Sequence, residues 1–326
     1  MQKKKLSEIE LNTTLIGDCR ETLKQLPDGC INACITSPPF YALRDYQEEN
    51  QIGLEKTPDE YVEELVKVFR EVKRVLREDG TLWLNLGDTY SSHKDCKSIS
   101  QTLSIGTGSE QAHVIDKGRS ASRDSKMLKE QGLKNKELIG IPWKVAFALR
   151  EDGWYLRQDI IWSKKNSMPE SVKDRCTKSH EYIFLMTKNP TYYYDHEAIK
   201  EDAVRAGSIP KGKKYSSELA DNKIGGKHTR ETLNEKPVAA KKNKRSVWTV
   251  ATRPFKDAHF AVFPPDLIEP MVLAGCPEKG IVLDPFMGSG TTGMVAQSLG
   301  RSWIGCELNP EYVEMQRKRT SQQSLF

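Results

Sequence analysis

The residues best suited to chemistry follow an apolar run near the start of the chain. The run from Ile31 to Thr36 predicts a buried strand, which stops at Ser37, Pro38, Pro39 and Phe40. Each proline fixes its own φ and lacks an N–H, so these four residues are expected to be rigid and extended. The Ser37 hydroxyl and the Pro38 carbonyl oxygen then become fixed acceptors beside the flat ring of Phe40, an arrangement that suits a planar group with an NH2 on its edge. The same residues also fit a strand that ends at a Pro-Pro turn with Phe40 in the core.

A glycine-rich segment near the other end has the features of a ligand-binding loop. A predicted strand ends at Asp284, Gly288 and Gly290 let the backbone pass close to a ligand, and a helix from Thr291 presents free N–H groups. Glu307 ends the next strand, 23 residues after Asp284, about where dinucleotide folds place the acid that binds ribose hydroxyls. The loop lacks the third glycine of a dinucleotide fingerprint and the Gly-Lys-Ser/Thr of a P-loop, which disfavours nicotinamide and ATP. S-adenosyl-L-methionine fits the remaining pattern, a nucleoside with an acid for its ribose and Asp284 near a positive group.

Strands and helices alternate in a way that would bring these two segments to one sheet edge. The strand from Thr14 to Asp18 ends in an acid that could cap the next helix, accept from a ligand, or both. A capping box at Thr57 to Glu60 opens an amphipathic helix, and a buried strand follows it. This βαβ rhythm predicts a parallel sheet. The strand from His180 to Met186 is expected to be antiparallel to its neighbour, because only a short turn-rich link precedes it.

Composition narrows the class of protein. With 326 residues the chain can bury a full core, and 50 Lys and Arg against 45 Asp and Glu give a net charge of only +5. A polyanionic partner must therefore meet local basic patches. No apolar stretch approaches 18 residues and no leader pattern is present, so we expect a cytoplasmic protein without membrane contact. The seven cysteines are scattered without finger-like spacing, and no metal site is expected.

Two polar stretches interrupt the pattern. Residues 91–136 carry 9 Lys and Arg against 5 Asp and Glu, and residues 196–246 carry 13 against 7. Such runs are most often solvated surface. The second stretch also contains His228 and Thr229, which could reach base edges, and the cations Lys241, Lys242, Lys244 and Arg245. It is therefore interpreted as a nucleic-acid recognition segment.

With both motifs present, the chain resembles the DNA amino-methyltransferases of the β arrangement. In that family a Ser/Asp/Asn-Pro-Pro-aromatic motif comes first, a target-recognition region lies in the middle, and an Asp-Pro-Phe-x-Gly-Ser-Gly-Thr cofactor loop comes last. The resemblance implies a Rossmann-like α/β fold, a seven-stranded, mostly parallel sheet with helices on both faces and a circularly permuted motif order. It further implies a catalytic half at 1–195 with a polar insertion at 91–136, a target-recognition region at 196–246, and a cofactor-binding half at 247–326.

The resemblance also assigns roles to residues. Ser37 to Phe40 resemble the catalytic motif, and Arg44 and Lys164 join the basic residues named above as expected DNA contacts. Residues expected to bind S-adenosyl-L-methionine, with S-adenosyl-L-homocysteine as product, are Asp18, Phe263, Pro264, Asp284, Pro285, Phe286, Gly288, Ser289, Gly290, Thr291, Thr292 and Glu307.

The expected reaction is methylation of an exocyclic amine on a base flipped out of duplex DNA. In the family Ser-Pro-Pro accompanies cytosine N4 more often than adenine N6, which favours cytosine and keeps adenine as the alternative. Carbon-5 methylation needs a Pro-Cys pair, and the sequence contains none. A separately encoded restriction endonuclease is the expected functional partner. A nucleotide-dependent oxidoreductase, a non-catalytic DNA-binding module and an RNA substrate remain more distant alternatives.

Overall fold

The computed structural model of the protein describes residues 8–46, 48–91, 132–203, 240–252 and 263–321. The chain divides into two compact units, a large one made of Met1–Asp195 with Ser246–Phe326 and a small one made of His196–Arg245. The predicted base-reading residues His228 and Thr229 lie outside the described residues.

The elements alternate along the chain as the sequence pattern predicts. Within the described residues the strands are β1 (Thr13–Ile16), β2 (Ile31–Thr36), β3 (Leu76–Leu86), β4 (Tyr155–Lys164), β5 (His180–Thr187), β6 (Glu201–Asp202), β7 (Lys241–Lys242), β8 (Val247–Val250), β9 (Ile281–Asp284) and β10 (Ser302–Glu307). The α-helices are α1 (Cys19–Thr22), α2 (Pro58–Val75), α3 (Ile141–Glu151), α4 (Pro265–Gly275), α5 (Thr291–Ser298) and α6 (Pro310–Ser321), and a 3-10 turn covers Leu23–Gln25.

The described part of the large unit is built on an eight-stranded sheet in the order β1-β10-β9-β2-β3-β5-β4-β8. Every neighbouring pair is parallel except the two that involve β5. The expected α/β fold with a mostly parallel sheet is confirmed, and so is the antiparallel direction of β5. One strand exceeds the expected seven, because β8 adds a short parallel edge beside β4.

Helices cover both faces of this sheet. Leu82, Leu84 and Leu86 of β3 belong to a buried cluster that also contains the apolar residues of α2 and α3. On the opposite face of β3, the Thr81 hydroxyl donates to the Gly275 carbonyl oxygen of α4 at 3.2 Å. Since successive side chains of a strand point to opposite faces, β3 lies between two helical layers.

The start of α2 shows how local sequence sets this packing. The Thr57 hydroxyl accepts from the Glu60 N–H at 3.0 Å, the Glu60 carboxylate accepts from the Thr57 N–H at 3.3 Å, and Pro58 occupies the first turn. These contacts satisfy N–H groups that a helix start leaves without partners. The helix then places Leu65 and Phe69 in the core without measurable exposure.

The described part of the small unit is an antiparallel pair of β6 and β7. Glu201 of β6 forms ion pairs with Lys242 at 3.3 Å and with Arg245 at 2.6 Å. Two of the four cations predicted here to contact DNA therefore share one carboxylate within this unit.

Among the described helices none is long and apolar enough to cross a membrane. The same residues contain no group of three His, Cys, Asp or Glu side chains placed to hold a metal ion.

Candidate active site

The two motifs meet at the carboxyl edge of the sheet. β2 and β9 are adjacent and parallel, with Cys34 opposite Leu283, so Ser37 and Asp284 both lie where these strands end. They line a cavity of about 290 Å³ at this edge, the place where open α/β sheets bind ligands. Other predicted site residues that line it are Asp18, Pro38, Pro39, Phe40, Arg44, Lys164, Phe263, Pro285, Phe286, Gly288, Ser289, Thr291, Thr292 and Glu307.

The direction of the Ser37 hydroxyl is set by its neighbour on β3. Ser37 Oγ donates to Asn85 Oδ1 at 3.0 Å, and Asn85 Nδ2 donates to the Tyr182 carbonyl oxygen at 3.1 Å. The second bond fixes which end of the Asn85 amide faces Ser37, so the amide oxygen receives the hydroxyl proton. Because a hydroxyl has one proton and two lone pairs, Ser37 keeps acceptor capacity for a ligand.

The two prolines present their carbonyl oxygens differently. The Pro39 oxygen accepts from the Tyr61 hydroxyl at 2.8 Å, which fixes the turn to α2. Within the described residues no hydrogen bond reaches the Pro38 oxygen. Pro38 therefore offers the second acceptor that the sequence predicts beside Ser37.

The Phe40 ring packs directly against the backbone at Gly87. A Cβ built on Gly87 would lie 2.5 Å from the ring, far inside van der Waals contact. Only glycine at position 87 leaves room for Phe40, so the end of β3 fixes the ring that lines the cavity.

Asp284, at the end of β9, connects the glycine-rich segment to β2 by hydrogen bonds. Its carboxylate accepts from the hydroxyls of Thr36 and Thr292, each at 2.7 Å, and from the Phe286 N–H at 3.0 Å. Burial raises the pKa of Asp284 to about 6, although these hydrogen bonds favour its ionised form. The carboxylate thus holds β2, β9 and the start of α5 in fixed relation.

Glu307 closes the glycine loop from β10. Its carboxylate accepts from the Gly288 N–H at 2.7 Å and from the Asn309 N–H at 3.0 Å, and Gly288 has a φ of +50°. Burial raises the pKa of Glu307 to about 7, and the charge of Asp284 adds to the rise while the backbone N–H groups oppose it. Glu307 lines the cavity, and its carboxylate accepts best from ligand hydroxyls in the ionised form, which such donors would stabilise.

Helix α6 supports the loop from behind, a contact that no sequence pattern indicated. Gln316 is 1% exposed and donates to the Gly288 carbonyl oxygen at 2.7 Å. Arg319 donates to the Ser289 carbonyl oxygen at 2.7 Å and to the Thr291 hydroxyl at 3.0 Å. A Cβ on Gly290 would lie 2.9 Å from Gln316, so that glycine serves the packing of this helix and does not line the cavity.

Asp18 has the capping role that the sequence left open, and its position at the cavity is compatible with the ligand role. It caps α1 by accepting from the Arg20 N–H at 2.8 Å, and it lines the cavity. Burial opposes its ionisation, but the Arg20 guanidinium at 2.5 Å outweighs this and holds the pKa of Asp18 below its usual range.

Three further positions complete the description of the site. Pro264 is the N-cap of α4 and does not line the cavity, unlike Phe263 beside it. Trp162 and Glu181 do line it, although neither was singled out from the sequence. Their positions depend on the pairing of β4 with β5, where Trp162 lies opposite Glu181.

The glycine loop and the Ser-Pro-Pro-Phe strand end meet at one cavity, the arrangement expected from the resemblance to DNA amino-methyltransferases. The model of the N6/N4 methyltransferase family, described as DNA methylase, matches residues 31–318. The chain belongs to this family of DNA methyltransferases.

Its relatives include two enzymes of similar length. Type II methyltransferase M.Cfr9I of Citrobacter freundii is 43% identical over 315 residues, covering 94% of this chain and 87% of the relative. Type II methyltransferase M.SmaI of Serratia marcescens is 43% identical over 305 residues, covering 94% and 89%.

Solved structures show the same fold. The cytosine-N4-specific PvuII DNA methyltransferase matches with a TM-score of 0.60 at 20% identity, covering 94% of this chain and 87% of that one. A Thermus thermophilus protein described as a DNA modification methylase, complexed with S-adenosyl-L-methionine, matches with a TM-score of 0.55 at 20% identity, covering 95% and 93%.

Proposed function

We propose that this protein transfers a methyl group from S-adenosyl-L-methionine to the N4 amine of a cytosine flipped out of duplex DNA. The observation that carries the proposal is the hydrogen bond from Ser37 Oγ to Asn85 Oδ1, which leaves the hydroxyl as an acceptor beside the Pro38 carbonyl oxygen. Two fixed acceptors match the two protons of an aromatic NH2 group. The PvuII enzyme, whose name specifies cytosine N4, shares the fold and supports the choice of base.

The chemical difficulty lies in the amine. Its lone pair is delocalised into the ring, so attack on a methyl group requires the nitrogen to become more tetrahedral. Ser37 and Pro38, each accepting one proton of the amine, favour that geometry, and acceptors fixed beforehand act without reorganisation. Phe40 would stack on the flipped ring and limit its tilt. The surplus proton leaves the nitrogen for solvent once the new bond has formed.

The residues of the glycine loop fit S-adenosyl-L-methionine. Glu307 places carboxylate oxygens in the cavity where ribose hydroxyls can donate, and Asp18 lines the same cavity with a carboxylate for an adenine amine. A cavity of about 290 Å³ is near the lower end of the range for small-molecule sites. When bound, the cofactor supplies a methyl group on a positively charged sulfur. Burial raises the pKa values of Asp284 and Glu307 and so disfavours their ionised forms. A cation or hydroxyl donors nearby would stabilise the ionised carboxylates.

The remaining assignments extend this proposal. Residues 1–195 would form the catalytic half, 196–246 the target-recognition region and 247–326 the cofactor-binding half. Arg44, Lys241, Lys242, Lys244 and Arg245 would contact DNA, with His228 and Thr229 reading base edges. The likeness to the type II methyltransferases M.Cfr9I and M.SmaI supports a role in a restriction-modification system, and we propose a separately encoded endonuclease as its partner.

Adenine N6 methylation is the alternative that the family model keeps open.

A labelled-methyl transfer assay that offers duplex DNA and duplex RNA separately tests the part of the proposal that concerns the nucleic acid. Label in DNA alone is expected, whereas label in RNA alone or in neither would contradict it.

A further inference from the structure

A half-buried ion pair lies in the same cavity as Ser37. Lys164, the last residue of β4, donates to the carboxylate of Glu181 on β5, and their side chains are only 23% and 12% exposed. The Lys164 Nζ also lies 4.9 Å from the centre of the Trp162 ring. That ring is itself held, because Trp162 Nε1 donates to the Val250 carbonyl oxygen at 2.9 Å. The ammonium is therefore a fixed cation and not a mobile surface charge.

The strand order places this cation across the cavity from the catalytic motif. Ser37 follows β2 and contacts Asn85 of β3, and Asn85 donates to the carbonyl oxygen of Tyr182, the residue after Glu181. β2 and β5 are two strands apart, a separation of about 9.6 Å at the usual strand spacing. Lys164 reaches Glu181 from β4, so its ammonium lies on the Ser37 side of its own strand.

This spacing between the two strands is close to the span of a pyrimidine with a hydrogen bond at each end. Cytosine measures about 4.6 Å from its amine nitrogen to its carbonyl oxygen, so with hydrogen bonds of about 2.9 Å at each end it spans about 10 Å. An amine held at Ser37 and Pro38 would place the carbonyl oxygen near β5. Adenine in the same orientation presents a C–H there, which cannot accept from an ammonium.

We propose that Lys164 recognises the carbonyl oxygen of the target cytosine and so distinguishes cytosine from adenine, with Glu181 and Trp162 as its positioning residues. The inference rests on the proposed cytosine N4 activity and names the group that selects the base. It also gives the ion pair a role beyond stability, since a buried pair often gains little after desolvation.

The test compares target bases in variants of the full chain. After the methylated sequence has been identified, kcat/KM is measured on duplexes with cytosine or adenine at the target position. Lys164→Met should lower kcat/KM on cytosine roughly 10- to 100-fold, the effect of losing one charge-assisted hydrogen bond, with little change on adenine. Lys165→Met is the matched control, because Lys165 is adjacent, equally charged, exposed and outside the cavity. It should leave the cytosine-to-adenine ratio unchanged.

A second variant tests whether the effect of Lys164→Met comes from an unpaired Glu181 carboxylate that destabilises the fold. Lys164→Met leaves Glu181 without its cation, so the double change Lys164→Met with Glu181→Gln removes both charges together. Thermal melting of each variant checks the fold, and the double variant should show the same fall in the cytosine-to-adenine ratio. A folded Lys164 variant that keeps the wild-type ratio would overturn the inference, including one that loses activity equally on both bases. A flatter salt dependence of DNA binding at an unchanged ratio would make Lys164 a phosphate contact and overturn it as well.

Failure of the underlying proposal is a separate result. Wild-type protein that methylates adenine and not cytosine would overturn both the N4 assignment and this role of Lys164. Wild-type protein that methylates cytosine, with a Lys164 variant of unchanged selectivity, would overturn the role of Lys164 alone.

Discussion

Ser37 donates its hydroxyl proton to the side-chain oxygen of Asn85 over 3.0 Å. The amide end that Asn85 presents is fixed by its other bond, to the Tyr182 carbonyl oxygen. Because the Ser37 hydroxyl donates its one proton to Asn85, its oxygen can only accept hydrogen bonds from a ligand in the cavity. This relationship leaves the Pro-Pro strand end with two acceptor oxygens at the cavity, the feature on which the proposed binding of an amine depends.

The first prediction concerns this acceptor. Ser37→Ala removes one of two groups fixed beside the amine, and kcat should fall by roughly 10²- to 10³-fold, as when one preorganised hydrogen-bonding group is lost. Affinity for S-adenosyl-L-homocysteine, measured by calorimetry, should be unchanged because Ser37 is not part of the glycine loop. Turnover at the wild-type level would remove Ser37 from the mechanism.

The second prediction is a pH dependence of cofactor binding. Burial raises the pKa of Glu307 from its ordinary value of 4.5 to about 7, so in the ligand-free protein the carboxyl is largely protonated below that pH. Ribose hydroxyls donate best to the ionised form, and affinity for S-adenosyl-L-homocysteine should therefore rise with pH up to about 7 and then level off. Binding near neutral pH should release protons, which calorimetry in buffers of different ionisation enthalpy detects.

Glu307→Gln provides the comparison. It should weaken binding by about 1–3 kcal/mol at pH 8, the cost of a lost hydrogen-bond partner, and flatten the rise near pH 7. A smaller slope at lower pH should persist, since the pKa of Asp284 is about 6. Wild-type affinity with an unchanged pH profile would make Glu307 only a support for the loop.

The third prediction concerns the support of the loop by α6. Arg319→Met removes the bonds to Ser289 and Thr291, so the loop must be ordered on binding and cofactor affinity should fall by about 1 kcal/mol. At saturating cofactor kcat should recover, because Arg319 does not line the cavity. Lys318→Met is the control on the same helix, where the side chain is 72% exposed. Equal effects of the two changes would show that the helix acts only through its charge.

The fourth prediction concerns the basic run of the small unit. Neutralising Lys241, Lys242, Lys244 and Arg245 should weaken DNA binding and reduce its log-log salt slope by about 0.9 per lost phosphate contact. Glu201→Gln should act in the opposite direction, because Glu201 pairs with Lys242 and Arg245 and competes with phosphate. Cofactor affinity should not change in either variant.

A variant of equal charge change in the large unit controls for net charge. It removes four cations whose side chains are half or more exposed, Lys24, Lys67, Arg70 and Arg77. If this control flattens the salt slope as much as the basic-run variant does, the small unit does not hold the phosphate contacts.

Local pattern was sufficient to predict the strands that end at Ser37, Asp284 and Glu307, because buried strands and glycine turns leave strong periodic signals. The parallel sheet then followed from the βαβ rhythm. The predicted pairing of the two motifs in one cavity depends only on where parallel strands end.

Contacts between distant segments could not be predicted in the same way. Asn85 lies in the buried strand that the sequence predicts after the amphipathic helix, but its bond to Ser37 depends on the register of β2 against β3. Gln316 and Arg319 lie on a helix with the pattern of an ordinary surface, and only the tertiary fold shows that they hold the glycine loop. The edge strand β8 is four residues long, too short to produce a clear pattern.

The most direct test of the central claim identifies the methylated base. Duplex DNA methylated by the purified protein with S-adenosyl-L-methionine is digested to nucleosides, and the products are separated and identified by mass. The account predicts N4-methylcytosine, formed by the wild type and formed far more slowly by Ser37→Ala. N6-methyladenine or 5-methylcytosine as the sole product would contradict it.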